Sequence, residues 1–230
     1  MKQHRNRPGA AFLPRLVNNA GLIGILMLCL GAELVLLGAD LGWWGGGRWR
    51  ALAYHNGGFW VGLLRDWRPN YPAQPWAMFV TYGFLHSGPV HLAVNMITLV
   101  SLGRAVQARL GQGRFLAAYA LSVLGGALGF ALLSSSPQPM VGASGALFGL
   151  AGVILAQEYG DLRAARARPW PVVWAVLLLL ALNVVMYWAM DGLLAWQTHL
   201  GGFVAGWLFG MFCRAGRGRA GQGPNRPPQG

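Results

Sequence analysis

Residues 142–159 read GASGALFGLAGVILAQEY, so that Ser144 lies between glycines at the start of an apolar segment of 16 residues. An α-helix rises about 1.5 Å per residue, so this segment spans roughly 24 Å, about 6 Å less than the hydrocarbon thickness of a membrane. Ser144 is therefore expected below the membrane surface. Irregular backbone at that depth is tolerated only where protein encloses it or where it faces a watery cavity. The segment thus predicts a water-accessible pocket at Ser144.

The composition of the whole chain indicates a membrane protein. Of the 230 residues, 55% are hydrophobic and only 10% are charged, which is not the balance of a water-soluble domain. Apolar segments of about 18 or more residues can cross the hydrocarbon layer as helices. We predict an all-α, polytopic integral membrane protein with six transmembrane helices and a long first outer loop. The predicted spans are 16–38, 90–108, 115–133, 144–159, 172–190 and 197–213.

Positive charge is concentrated on one side of this topology. The N-terminal arm, the second and fourth connections and the C-terminal tail hold 14 of the 18 Lys and Arg residues. These are Lys2, Arg5, Arg7, Arg15, Arg104, Arg109, Arg114, Arg163, Arg166, Arg168, Arg214, Arg217, Arg219 and Arg226. Cytoplasmic connections carry an excess of such residues, so both termini are expected in the cytoplasm. The net charge of +12 is accordingly interpreted as a topological signal and not as a nucleic-acid site.

The chain divides into three regions by composition. Residues 1–15 form a basic cytoplasmic arm, 16–213 the six-helix membrane domain, and 214–230 a basic cytoplasmic tail, rich in Gly, Arg and Pro, that is expected to be disordered. The first span is too long for a signal peptide and is interpreted as a retained helix. The outer loop 39–88 is long enough to have folded structure of its own, with a role that the sequence leaves open. The excess of Arg over Lys and the short tails favour a bacterial inner membrane.

Small residues recur at every fourth position in three of the spans. Such spacing lets helix backbones approach closely. Two of these strips lie on the spans that carry Ser144 and His199, so they favour contact between those two helices. The residues concerned are Gly125 and Gly129, Gly145 and Gly149, and Gly202, Gly206 and Gly210.

Polar groups on three spans are expected at a common depth. Spans two, four and six all run inward from the outer face. Near its outer end, span two carries His91 and Asn95, span four carries Ser144, and span six carries His199. A serine needs a neighbouring base to become a nucleophile, and His199 is the best candidate. The oxyanion of an acyl-transfer intermediate needs hydrogen-bond donors. The Ser144 N–H at its helix N-terminus and the side chains of His91 and Asn95 are the candidates.

Three motifs occur in a fixed order on the second, fourth and sixth spans. They are His91-Leu92-Ala93-Val94-Asn95, Gly142-Ala143-Ser144-Gly145, and His199-Leu200-Gly201-Gly202 followed by Gly206. In this order they resemble the oxyanion motif, the nucleophile motif and the base-bearing sixth helix of the rhomboid intramembrane serine proteases. The resemblance covers about residues 74–210.

The resemblance implies a Ser144–His199 dyad that cleaves transmembrane or membrane-proximal segments of other membrane proteins, without a metal or a cofactor. The expected partners are transmembrane substrates and the lipid bilayer, with no nucleic acid; the oligomeric state stays open. Two features depart from the family pattern. Some members of the family have a tyrosine four residues after the serine, stacked on the histidine; this chain has Phe148 there. A Trp-Arg pair is frequent just before the second helix, where this chain has Trp76-Ala77; its own pair, Trp49-Arg50, lies well upstream.

Other interpretations of these residues stay open. Ser144 could cap its helix, and His91, Asn95 and His199 could be interhelical hydrogen-bond partners worth about 0.6 kcal/mol each. His86 and His91 lack a third ligand or nearby carboxylate, which argues against a metal site. Glu33 lies in the first span without an assigned role, and Asp191 is interpreted as a solvated loop carboxylate and not as a third catalytic residue.

Two alternative functions remain at the level of sequence. The first is a non-catalytic relative that binds transmembrane segments for quality control, and the second is a small polytopic transporter. A transporter would need polar groups along a path through the membrane, and none is evident at the cytoplasmic ends of the spans. The sequence therefore predicts an intramembrane serine endopeptidase.

Overall fold

The computed structural model of the protein describes residues 19–45 and 47–213. Within them lie eight α-helices and two 3-10 helices, Val61–Leu64 and Tyr82–Phe84, and no β-strand. The α-helices are α1 Ala20–Asp40, α2 Arg48–Gly57, α3 Gln74–Thr81, α4 Pro89–Leu110, α5 Gln112–Leu133, α6 Ser144–Ala164, α7 Trp170–Ala189 and α8 Trp196–Phe212. The arm 1–15, the predicted start of the first span at Leu16 and the tail 214–230 lie outside the described residues.

The six longest helices coincide with the predicted spans, and the prediction of an all-α polytopic membrane protein is confirmed. Four of them, α1, α4, α5 and α7, are long and apolar enough to cross a membrane. The other two fall short of that measure: α8 has 17 residues, and the last turns of α6 carry Glu158, Asp161 and Arg163. These two helices pack mainly against other helices, so they need less apolar surface than helices that face lipid. The count of six spans stays a prediction.

Helices α6 and α8 pack against each other along a line of glycines. A Cβ built on Gly202 would overlap the carbonyl oxygen of Gly145, and one built on Gly206 would overlap that of Gly149. The two backbones are thus closer than any side chain would allow, as the spacing of small residues predicts. This contact brings the first turns of α6 and α8 together, and those turns carry Ser144 and His199.

Helix α7 lies at the edge of the bundle. Only 6% of its most apolar window is buried, compared with 44% for α5. Val172, near its start, is the one buried residue among its 20. Packing inside the protein therefore constrains α7 much less than it constrains α5, α6 or α8.

The first outer loop of the predicted topology, residues 39–88, is folded, as its length predicts. It holds α2, α3 and the two 3-10 helices. An antiparallel bridge joins this loop to the segment that precedes α6: the Phe59 N–H donates to the Met140 carbonyl at 2.9 Å, and the Met140 N–H donates to the Phe59 carbonyl at 3.0 Å. Phe59 is fully buried against Phe79 and Phe130. The bridge therefore fixes the backbone two residues before Gly142.

Arg50 connects the same loop to α1. Its guanidinium donates to Glu33 at 2.8 and 3.1 Å, to Asp40 at 2.7 Å and to the His86 carbonyl at 3.0 Å. The hydrogen bond with Glu33 raises the pKa of Arg50 above its usual range, so the guanidinium stays charged. The carboxylate in the first span, to which the sequence assigned no role, is thus a buried structural partner of the outer loop.

Candidate active site

Ser144 is the first residue of α6, and the backbone before it is held in a conformation that favours glycine. Gly142 has a φ of +129°, and its N–H donates to the Tyr82 carbonyl at 3.0 Å. The first N–H groups of an α-helix have no partner within the helix, and they mark the positive end of its dipole. The Ser144 N–H and hydroxyl therefore stand together at a place suited to an anion.

The structure brings Ser144 and His199 into hydrogen-bonding contact. Ser144 Oγ lies 2.8 Å from His199 Nε2, although the two residues are 55 positions apart in the chain. His199 is buried, with 7% of its surface exposed. A hydroxyl within this distance of an imidazole nitrogen can transfer its proton to it. This is the geometry that nucleophilic catalysis by serine requires.

Two further side chains hold the His199 ring. The ring of Phe148 lies parallel to it, with centroids 4.2 Å apart and an angle of 9° between the planes. On the far edge of the imidazole, Nδ1 lies 2.7 Å from Asn183 Oδ1 on α7. The imidazole is thus restrained on one face and at both nitrogens.

His91 lies beside the backbone that precedes Ser144. A Cβ built on Gly142 would lie 3.1 Å from His91 Nε2 and 3.9 Å from Ser144 Oγ. The Ser87 N–H lies 3.2 Å from His91 Nδ1 and the Ser87 hydroxyl 2.9 Å from it. Because Nδ1 accepts from this N–H, the proton of the neutral ring sits on Nε2. His91 therefore presents an N–H donor beside the Gly142 backbone.

Asn95 lies one turn after His91 and is buried, with 3% exposed. Its side-chain amide donates to the His91 carbonyl at 2.8 Å. An amide NH₂ group carries two hydrogens, so one is left for a second acceptor. Within the part of the chain that the structure describes, Asn95 Oδ1 has no hydrogen-bond partner.

His86 and Asp191 lie apart from the Ser144–His199 contact. His86 is fully buried and packs edge-on against His91, with ring centroids 5.2 Å apart. Burial lowers the pKa of His86 to about 4, which keeps its ring neutral. Asp191 is exposed in the turn after α7 and has a φ of +51°. Asp191 therefore lies where the sequence interpretation put it, in a solvated turn.

The sequence model of the rhomboid domain matches residues 72–216, which is more than half of the chain and includes all three motifs. The chain belongs to the rhomboid family. A match over this range places every residue of the Ser144–His199 site inside the rhomboid domain.

Curated relatives of this rhomboid come from plants, bacteria and fungi. The chain is 35% identical over 130 residues to RHOMBOID-like protein 5 of Arabidopsis thaliana, which covers 56% of the chain and 41% of that protein. It is 32% identical over 133 residues to rhomboid protease GluP of Bacillus subtilis, covering 58% of the chain and 25% of that protein. It is 33% identical over 143 residues to rhomboid-type serine protease 2 of Emericella nidulans, covering 59% of the chain and 26% of that protein. The chain spans less than half the length of these relatives.

Two contacts of this rhomboid were missed at the level of sequence. The sequence does contain a sign of the first contact: Asn183 is the only amide side chain in an otherwise apolar span. Polar groups within spans usually have a specific partner. The ion pair of Arg50 with Glu33 left a comparable signal, a carboxylate in the first span. Neither partner could be found from spacing alone, since 16 and 17 residues separate the two members of each pair.

Proposed function

We propose that this rhomboid is an intramembrane serine endopeptidase that cleaves peptide bonds in or near transmembrane segments of other membrane proteins. The observation that carries the proposal is the 2.8 Å contact between Ser144 Oγ and His199 Nε2. Ser144 is the nucleophile and His199 is first a general base and then a general acid. The protease names of relatives in Bacillus subtilis and Emericella nidulans support the same chemistry.

The reaction proceeds through an acyl-enzyme. As the Ser144 oxygen attacks the scissile carbonyl, its proton moves to His199 Nε2. The resulting imidazolium then gives that proton to the leaving amine, which frees the C-terminal part of the substrate. A water molecule that loses a proton to the same nitrogen hydrolyses the ester and restores Ser144. Phe148 and Asn183 keep the ring in place throughout, since they contact its face and its other nitrogen.

The oxyanion formed in each step is stabilised by donors from α4 and α6. The Ser144 N–H at the N-terminus of α6, the His91 ring N–H and the second hydrogen of the Asn95 amide are the proposed donors. In comparable enzymes, each donor of this kind contributes roughly 3 to 4 kcal/mol to stabilisation of the transition state. The position of His91 beside Gly142 and the burial of Asn95 support this assignment.

The proposed topology has six membrane spans, with both termini in the cytoplasm of a bacterial inner membrane. Arg104, Arg109 and Arg114 lie around the α4–α5 connection, at the opposite ends of the helices from the site. Arg163, Arg166 and Arg168 lie likewise at the α6–α7 connection. The positive-inside rule then puts Ser144 and His199 toward the outer leaflet. The region 16–213 is the membrane domain in this proposal.

A non-catalytic function, binding of transmembrane segments for quality control, is the alternative. One observation favours it: the Arabidopsis relative is named RHOMBOID-like protein 5, a name that does not describe it as a protease. The two functions differ in one chemical property, because only a protease needs an activated serine.

Labelling with a small fluorophosphonate separates the two functions. We expect the purified protein in detergent micelles to be labelled, the adduct to map to Ser144 by mass spectrometry, and Ser144→Ala to remove the label. Ser101→Ala is the matched control, because Ser101 lies exposed on α4 and should leave labelling unchanged. An unlabelled wild-type protein, or labelling that persists in Ser144→Ala, would favour the binding function.

A further inference from the structure

The Asn183 side chain is an exception on its helix. Apart from this residue, α7 consists of apolar and aromatic residues and one proline. A polar amide in such a segment is costly unless it is hydrogen-bonded, so a lipid-facing helix gains nothing from it by itself. From residue 180 to residue 193, Asn183 is the one position that is not exposed. The amide therefore sits at the point where this half of α7 meets the rest of the protein.

The hydrogen bonds of Asn183 fix which of its atoms faces His199. Its Nδ2 donates to the Leu179 carbonyl at 2.9 Å, one turn back along α7. The Oδ1 atom is then left to face His199 Nδ1, at 2.7 Å. A carbonyl oxygen can only accept, so Nδ1 must carry the proton of the neutral imidazole. Nε2 consequently keeps its lone pair for the Ser144 hydroxyl.

We propose that Asn183 is a positioning residue that holds His199 in the tautomer and orientation needed to accept the proton of Ser144. This inference rests on the proposed protease function. It extends the dyad to a Ser144–His199–Asn183 arrangement in which the base is oriented by a third group. The same relation, an asparagine amide on the second nitrogen of a catalytic histidine, occurs in unrelated cysteine proteases.

A purely structural role, that of attaching α7 to the bundle, makes a different prediction. The buried residue of α7, Val172, lies at its other end, where it lines a cavity together with Tyr159 and Trp207. Loosening α7 there removes apolar contacts without touching His199. A substitution at Val172 thus reports what a less firmly attached α7 does to the reaction.

The test compares Asn183→Leu, Asn183→Asp and Val172→Ala in the rate of fluorophosphonate labelling, in kcat and KM for a transmembrane substrate, and in Tm. Leucine is similar in size to asparagine and lacks the acceptor, whereas aspartate keeps it. We expect Asn183→Leu to lower the labelling rate and kcat by about 10- to 100-fold with little change in KM or Tm, since misplacing a reacting group by about 1 Å costs up to that much. Asn183→Asp should stay within a few-fold of wild type, and Val172→Ala should label at the wild-type rate.

Three results would overturn the inference while leaving the protease function intact. They are wild-type labelling in Asn183→Leu, an equal loss in Asn183→Leu and Asn183→Asp, and an equal loss in Asn183→Leu and Val172→Ala. Should Asn183→Leu fail to fold, Asn183→Ala serves as the second variant, with the same expected loss of kcat. Absence of labelling in the wild-type protein would instead contradict the proposed function itself.

Discussion

The ring of Phe148 lies flat against the ring of His199, with centroids 4.2 Å apart and planes at 9° to each other. Both residues lie near the start of their helices, so the stacking holds the imidazole toward Ser144 on the same face of the α6–α8 contact. The sequence places Phe148 four residues after Ser144, where some members of the family have a tyrosine. The stacking shows that a phenyl ring makes this contact without a hydroxyl group.

Removing this ring should slow the reaction without unfolding the protein. Aromatic stacking contributes about 0.5 to 1.5 kcal/mol beyond buried area. We therefore expect Phe148→Ala to lower the fluorophosphonate labelling rate by up to about 10-fold, whereas Phe148→Tyr should keep the wild-type rate. Equal rates in Phe148→Ala and wild type would show that the stacked ring does not position His199.

The close approach of α6 and α8 should tolerate no side chain at Gly206. A Cβ there overlaps the Gly149 carbonyl, whereas a Cβ on Gly24 of α1 meets nothing within 4 Å. We expect Gly206→Ala to lower the free energy of unfolding by about 1 to 3 kcal/mol and to slow labelling, because α8 carries His199. Gly24→Ala should leave both unchanged or raise stability slightly. Thermal unfolding in detergent micelles measures the difference, and equal Tm values for the two variants would contradict this account of the helix contact.

The buried ion pair of Arg50 with Glu33 should matter far more than an exposed pair. Glu33 is 2% exposed, so Arg50→Met leaves a buried carboxylate without its partner. We expect a loss of about 3 to 5 kcal/mol in unfolding free energy. Part of it should return in the double variant Arg50→Met with Glu33→Gln. The half-exposed pair of Arg109 with Glu158 is the control, and Arg109→Met should cost about 1 kcal/mol or less. Equal losses for the two arginines would show that burial does not decide the effect.

Burial of His86 predicts a specific dependence of stability on pH. Its folded-state pKa is lowered to about 4, chiefly by burial and secondly by the neighbouring His91, whereas an unfolded histidine has a pKa of about 6.5. As pH falls below about 6.5 the unfolded state takes up a proton that the folded state refuses, so stability is lost between pH 6.5 and 4. The loss attributable to His86 reaches about 3 kcal/mol at the lower limit.

The measurement is Tm against pH for wild type and for His86→Phe, which keeps a planar ring and cannot titrate. The variant should show a shallower decline of Tm between pH 6.5 and 4, and the two curves should run parallel above pH 7. Identical slopes over the acidic range would mean that the pKa of His86 is not lowered in the folded protein.

The sequence predicted the helices because hydropathy and length determine which segments can occupy lipid. It also predicted the Ser144–His199 contact, because the glycine strips on the two spans specify close approach and the helix directions bring both ends to one side. The six-span count could not be settled this way. Helices α6 and α8 pack mainly against protein, so their surfaces need not be as apolar as those of α1 or α7.

The contacts that sequence reasoning missed all depend on how each helix is rotated about its axis. Asn183 was visible as a polar residue in an apolar span, but its partner follows only from which face of α7 meets α8. The same holds for Glu33, whose partner Arg50 comes from a short loop helix that has no buried residue to indicate which of its faces packs against α1. The spacing of residues within one helix predicts which side chains share a face. It does not predict which residues of other helices that face contacts.

The most direct test of the central claim is cleavage of a single-span peptide by the purified protein in liposomes, with the products sequenced by mass spectrometry. We expect the wild-type protein to generate new termini within or next to the membrane segment, Ser144→Ala to generate none while retaining the wild-type Tm, and His199→Ala to generate none while remaining folded. Cleavage at the wild-type rate by Ser144→Ala, or no cleavage of any membrane-spanning substrate by the wild-type protein, would contradict the account.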